Sequence, residues 1–365
     1  MTLELNNAPS KATIDRMSTT NKRESDKISG GHIKLDRRSF LLRQKQKHER
    51  EHHEIELRDG RTMCYVVDGP SALEEDPTLI KDSGLPVIFA FHGMYLSAES
   101  LILTDSYRKQ TTKESFDYVI IGVNRAGYHG SSNVTLGEYS YTEFALDVGE
   151  IADALKIPKF GLVGHSSGGP NVLACASILG PNRVTGFCTL GSDPEYSRFD
   201  DIPYSLELDC CIGLWLPRFL GMFLPCTKVA NGMRNDYILE RRDYPFDSES
   251  IEQRGVVIAA EDDRFVPGWL SKRVRDRLKN AHYAVVPKVE HCELLKDEIL
   301  DTVYCTVVQL MRQASREESS TTTEQQQETW SSSLWQNLAI NQLIQERTMV
   351  SESNSTLSMA ESQTN

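Results

Sequence analysis

Short apolar runs alternate with amphipathic stripes through the middle of the chain. The runs cover residues 87–91, 118–123, 160–163, 184–190, 256–260 and 284–286. Each is brief and apolar almost throughout, as expected of a strand covered on both faces. Between them, Phe144, Val148, Ile151, Ala152 and Leu155 recur at helical spacing, and Leu295, Ile299, Val303, Val307 and Leu310 do so again. A hairpin opens the series: residues 54–57 and 62–67 flank the turn dipeptide Asp59-Gly60. The alternation predicts an α/β fold, with a mostly parallel eight-stranded sheet and helices on both faces.

Two kinds of segment break the rhythm. From about residue 192 to 252 no strand and helix alternate, and an insertion of that length after a strand reads as a helical lid. It contains an apolar run over residues 212–225, in which Trp215 and Phe219 are expected to touch a lipophilic substrate. The plainer alternative is that these residues pack the insertion onto the core. Pro217 and Arg218 interrupt the run and argue against a membrane span. The ends differ in character. Residues 1–50 are polar and charged and read as disordered. The folded domain is expected over 51–315, followed by a disordered tail, 316–365. Within the tail, Leu334, Trp335, Leu338, Ile340, Leu343 and Ile344 suggest a short amphipathic helix near 334–346. It has the character to dock on the body, on a partner or on a membrane surface, or to stand exposed.

Composition narrows the partners. The 365 residues suffice for one large α/β domain with tails. Hydrophobic residues make up 39%, a low share that polar ends would produce by dilution. The net charge of -12 disfavours nucleic acid, which needs a basic face. Eight cysteines are scattered without zinc-ligand spacing. They read as free thiols in a reducing compartment, with the adjacent Cys210-Cys211 fitting least well. Residues 1–30 contain no apolar signal core. Arg37-Arg38-Ser39-Phe40 resembles a twin-arginine export motif, but a charged stretch follows it, not an apolar one. No run of eighteen uncharged apolar residues occurs, so the expectation is a cytoplasmic protein. Oligomeric state is left open.

The chemistry centres on Gly164-His165-Ser166-Ser167-Gly168, between a buried strand and a helical run. Glycine two residues before and two after a serine, at a strand-to-helix turn, is the pattern of a nucleophile elbow. Ser166 is the expected nucleophile. A serine hydroxyl needs a base, and the base needs a carboxylate to orient it. In this arrangement the acid and then the histidine follow the serine in the chain. His282 and His291 lie beyond Ser166. His282 stands at the start of a strand and should point away from the carboxyl edge, which leaves His291 as the base. For the acid, Glu261, Asp262 and Asp263 follow the 256–260 run, and Asp193 follows the preceding one. The spacing to Pro267 favours Asp263. The oxyanion donors are expected to be the amides of Ser167 and Met94, the latter in the loop His92-Gly93-Met94 after the 87–91 run. His92 and Gly93 are placed against substrate, with a purely structural role for His92 as the alternative.

Four motifs in order then carry a family resemblance over about residues 53–314. They are His92-Gly93, the loop 124–132 (Asn-Arg-Ala-Gly-Tyr-His-Gly-Ser-Ser), the elbow with its trailing Gly169-Pro170, and Asp263-Arg264-Phe265-Val266-Pro267 with His291. The chain resembles the α/β-hydrolase fold superfamily, in its branch of single-domain serine hydrolases with a lid after the sixth strand. Asn124 and Ala126 stand where the family has Asp and Pro, and Tyr95 stands where it commonly has Pro. The resemblance implies hydrolysis of a carboxylic ester or thioester through Ser166, His291 and Asp263, without metal or organic cofactor. The implied partner is a small ester or acyl substrate. Epoxide hydrolases and haloalkane dehalogenases carry Asp at the elbow, so Ser166 speaks against both. Aminopeptidase, C–C hydrolase, cofactor-free peroxidase and lyase chemistry share the serine triad. A non-catalytic ligand receptor of the same shape is the other class, and lipid hydrolysis at a membrane surface a third reading.

Overall fold

The computed structural model describes residues 50–111, 116–198, 230–319 and 332–349. The expected disorder of residues 1–49, the lid residues Trp215 and Phe219, and Cys210-Cys211 lie outside these ranges. Eight strands form one sheet: β1 (His52–Glu56), β2 (Thr62–Asp68), β3 (Val87–Phe91), β4 (Val119–Val123), β5 (Phe160–His165), β6 (Val184–Leu190), β7 (Gly255–Ala260) and β8 (Ala281–Val286). The helices that matter below are α1 (Tyr141–Ala154), α2 (Gly168–Leu179), α3 (Ala230–Leu239), α4 (Gly268–Asp276), α5 (Asp297–Ser319) and α6 (Ser332–Asn337).

The strand order is β1-β2-β4-β3-β5-β6-β7-β8. The hairpin β1–β2 is antiparallel and β2 pairs antiparallel with β4; all the other pairings are parallel. The six strands β3 to β8 correspond to the six apolar runs, and β3 to β7 are buried at every position. Strand β8 starts three residues earlier than its apolar run implies. As an edge strand it needs cover on fewer positions, so half-buried His282 and Tyr283 are admitted.

Two apolar cores lie on the two faces of the sheet. One packs Phe144, Val148 and Ile151 of α1, Val172 of α2 and Val274 of α4 against β3, β4 and β5. The other packs Ile299, Val303, Val307 and Leu310 of α5 against Val163, Cys188 and Ile258. The stripes that predict α1 and α5 are the stripes that are buried. A capping box starts α1, in which the Ser140 amide donates to Glu143 at 2.9 Å.

Helix α5 continues to Ser319, past the expected domain edge at 315. The tail then supplies α6 and a further helical stretch over 339–349. This segment packs on the body: Leu338 and Ile340 are fully buried in the α5 core. The Ile340 amide donates to Thr306 Oγ1 at 3.0 Å and the Ala339 amide to Gln309 Oε1 at 2.9 Å. The Trp335 ring stacks on His282, with centroids 4.5 Å apart. Among the described residues no helix is long and apolar enough to cross a membrane.

The sheet order determines where a site can form. The chain runs outward from β3 to β4, then returns to place β5 on the other side of β3. Adjacent parallel strands whose connections leave in opposite directions open a crevice at their carboxyl ends. The loops that follow β3 and β5 begin at His92 and Ser166.

Candidate active site

Ser166 sits at the turn between β5 and α2 with φ of 54°, a left-handed conformation that non-glycine residues seldom hold. Two hydrogen bonds fix it: its amide donates to the Leu190 carbonyl at 2.8 Å, and its carbonyl accepts from the Gly169 amide at 2.8 Å. A Cβ on Gly164 would fall within 3 Å of the Gly168 backbone, and one on Gly168 within 3 Å of the Phe91 and His92 carbonyls. Side chains there would force strand, helix and the β3 loop apart. Ser166 is half-buried, while the residues from Phe160 to His165 and from Ser167 to Ala176 are buried. The turn thus presents one serine side chain toward accessible space.

The loop after β3 comes up beside it. A Cβ on Gly93 would lie 3.0 Å from Ser166 Cβ and 2.9 Å from His165 Nδ1. Met94 follows, half-buried, in a turn. His92 departs from the expectation that it touches substrate. It is fully buried, its Nδ1 meets the Gly93 carbonyl at 2.8 Å, and its Nε2 accepts from the Arg125 amide at 3.2 Å. Burial, aided by the nearby Arg125 charge, holds this imidazole well below its usual pKa. Nδ1 is taken up within its own loop and Nε2 ties that loop to the one after β4, so both ring nitrogens are engaged with backbone.

Past β8, His291 opens a short 3-10 helix, His291–Leu295, started by a capping box between Glu290 and Glu293. Its Nδ1 lies 2.6 Å from Asp263 Oδ2. The other carboxylate oxygen of Asp263 accepts the amides of Phe265 at 2.9 Å and Val266 at 2.8 Å. Of the four acid candidates, Asp263 is therefore the one hydrogen-bonded to His291. Glu261 and Asp262 are exposed, and Glu261 accepts the Lys288 amide. Asp193 is buried and bound to the Tyr196 hydroxyl at 2.6 Å; burial pushes its carboxyl up to about 6.

Among the described residues no hydrogen bond joins the Ser166 hydroxyl to His291. The two are linked through Gly191. Ser166 bonds Leu190, and a Cβ on the next residue, Gly191, would lie 2.9 Å from His291 Nδ1 and 3.2 Å from Asp263 Oδ2. His165 packs against His291. Its ring centroid is 4.6 Å from that of His291, and its Nε2–H donates to the His291 carbonyl at 3.2 Å. Burial keeps His165 neutral, its pKa well below the usual value.

Several of these residues escape a reading of the sequence. His165 stands inside the elbow motif but looks like a spacer. A glycine directly after a buried strand is the one visible sign of Gly191. Arg125 belongs to a motif that is visible, yet its partner Asp236 is 111 residues away on α3. No local signal marks that aspartate. Among the described residues no group of three or more His, Cys, Asp or Glu side chains is placed to hold a metal ion. The described cysteines, Cys64, Cys175, Cys188, Cys292 and Cys305, are free thiols.

Comparison with known proteins agrees with this architecture. A family model of the alpha/beta hydrolase fold matches residues 86–224. A solved esterase from Thermogutta terrifontis is 16% identical, with 72% of this chain and 99% of that chain covered and a TM-score of 0.52. The esterase EaEST from Exiguobacterium antarcticum is 20% identical, with 70% and 98% covered and a TM-score of 0.53. A bromoperoxidase from Bacillus anthracis is 18% identical, with 72% and 100% covered and a TM-score of 0.52. No match to a curated protein was found by sequence. This is a protein of the α/β-hydrolase fold.

Proposed function

We propose that the chain is a serine hydrolase acting on a carboxylic ester or thioester. The carrying observation is an accessible serine on a strained elbow at the same sheet edge as a buried His291–Asp263 pair. Fold alone would not suffice, because one fold hosts many chemistries. His291 Nδ1 is committed to Asp263, so Nε2 is the nitrogen left to take the Ser166 proton. We take the Ser166–His291 hydrogen bond as one that forms when substrate binds, since such bonds are often long beforehand. Ser166 Oγ then attacks the acyl carbon, and the carbonyl oxygen becomes an oxyanion held by the amides of Ser167 and Met94. The His291 imidazolium protonates the leaving alcohol or thiol. Water, deprotonated by the same ring, releases the acid and restores Ser166. The cycle needs no metal ion or organic cofactor. The esterases of Thermogutta and Exiguobacterium share the fold at a level that agrees with this reading.

The expected substrate is a small ester or acyl compound. A fluorophosphonate probe tests the assignment. The protein should be labelled, and Ser166→Ala should abolish both labelling and turnover, the latter by about a millionfold. Label retained in Ser166→Ala would remove this serine from the chemistry. The bromoperoxidase of Bacillus anthracis resembles the chain as closely as the esterases do, which keeps a peroxidase reading in view. An acyl-enzyme trapped by mass spectrometry with a slow ester would exclude it as the sole activity.

A further inference from the structure

Two adjacent residues of helix α3 reach the two loops that would supply the oxyanion donors. The first is Asp236. Its carboxylate takes the Arg125 guanidinium in a fork, at 2.6 and 2.8 Å. The same guanidinium donates to Ser167 Oγ at 3.0 Å. The Tyr128 hydroxyl donates to the carboxylate as well, and Arg125, Asp236, Tyr128 and Ser167 are all buried. The second residue is Tyr237. Its hydroxyl pairs with that of Tyr95, which directly follows Met94. Tyr95 is 56% exposed, and its backbone has φ of 64°. The Leu96 amide closes this turn on the Gly93 carbonyl at 3.3 Å, and the hydroxyl bridge ties the turn to α3.

We propose that Asp236 and Tyr237 are positioning residues that clamp the oxyanion hole from α3, Asp236 through Arg125 on Ser167 and Tyr237 through Tyr95 beside Met94. This rests on the hydrolase reading above. The physical reason is geometric. Two amides from separate loops must converge on one oxygen, and a misplacement of about 1 Å can cost about a hundredfold in rate. The Ser167 amide is framed by the elbow, and its side chain accepts from Arg125. The Tyr95 turn lies beyond the end of β3 and outside the sheet ladder. One helix, anchored at two successive positions, sets both. Docking of α3 and assembly of the hole are then a single event, and α3 is part of the machinery.

The test uses the full chain with Tyr95→Phe, Tyr237→Phe, their double variant and Ser167→Ala. Turnover of a chromogenic short-chain ester is measured beside Ki for a trifluoromethyl ketone, whose hemiketal oxyanion fills the hole. Each Phe variant should lower kcat about tenfold with KM within about twofold, and the double variant should be no worse than Tyr237→Phe, because both single variants break the same bridge. Ser167→Ala keeps its amide and the Arg125–Asp236 pair, and should also lose kcat. Across the set, log Ki should follow log KM/kcat, a relation that general destabilisation would not produce. Wild-type protein labelled by fluorophosphonate, with Tyr237→Phe and Tyr95→Phe turning over at its rate, would overturn the clamp alone. So would a loss of kcat with Ki unmoved. Wild-type protein that neither labels nor hydrolyses any ester would overturn the hydrolase reading and the clamp with it.

Discussion

At Gly191 two demands meet in one residue. Its φ of 52° favours glycine, and the space a Cβ would fill is taken by the His291 ring and the Asp263 carboxylate. Gly191→Ala should therefore reduce turnover more than stability. We expect about 1–2 kcal/mol lost in urea unfolding, and kcat lowered tenfold or more as the His291 ring is displaced. Asp263 allows a sharper forecast. Its Oδ1 accepts two backbone amides, so in Asp263→Asn the new side-chain oxygen is held there and the NH2 must face His291. That NH2 donates to Nδ1, the ring proton moves to Nε2, and the base can no longer accept from Ser166. Turnover should fall about ten-thousandfold with the fold intact, checked by steady-state kinetics beside circular dichroism. Much of this site is legible from residue order alone, because Ser166, an acid and His291 each follow a recognisable strand. What is not legible is the bracing. His92 looks like a substrate contact until its two nitrogens are seen bonded to backbone, and His165 looks like a spacer until its ring is found against His291.

The elements were readable wherever burial follows a period. Strands β3 to β7 are mostly apolar because both faces are covered, and the stripes on α1 and α5 match their buried faces. Helix α3 has no such signature. It meets the site loops through single polar contacts, Asp236 to Arg125 and Tyr237 to Tyr95, which no periodicity announces. The buried pair makes a stability forecast at this scale. Removing one partner strands the other charge away from water, at a cost of about 3–5 kcal/mol. Asp236→Ala should show that loss by denaturant unfolding, whereas Tyr237→Phe, which strands no charge, should unfold close to wild type. Equal stability of Asp236→Ala and wild type would mean that α3 leaves the body without penalty.

Across the whole molecule, two features reach beyond the site. Asp193 and Glu240 are buried carboxyls. Burial is the main cause that raises each, Asp193 to about 6 and Glu240 well above its usual value, with the neighbouring carboxylates adding to the rise. A folded-state pKa above the unfolded one means that the folded protein keeps a proton the unfolded chain has released. Stability contributed by Asp193 is thus present below its usual 3.8 and is lost as pH rises through about 6. Asp193→Asn, which keeps an acceptor for Tyr196, should match wild type near pH 4 and exceed it at pH 8 by up to about 3 kcal/mol.

The second feature is the tail segment 332–349. Its buried Leu338 and Ile340 are worth about 1.5–3 kcal/mol each by apolar transfer, less the entropy of ordering the segment. It lies along α5 and near the start of β8, where Trp335 stacks on His282, whereas the candidate site lies at the opposite, carboxyl ends of the strands. A chain ending at Ser319 should therefore melt several degrees lower and bind a hydrophobic dye, yet keep its kcat. Those two leucine-sized side chains cannot serve a bilayer while docked, so full-length and shortened chains should float equally with liposomes. A full-length chain that floats while the shortened one does not would mean that the segment leaves α5 for the membrane.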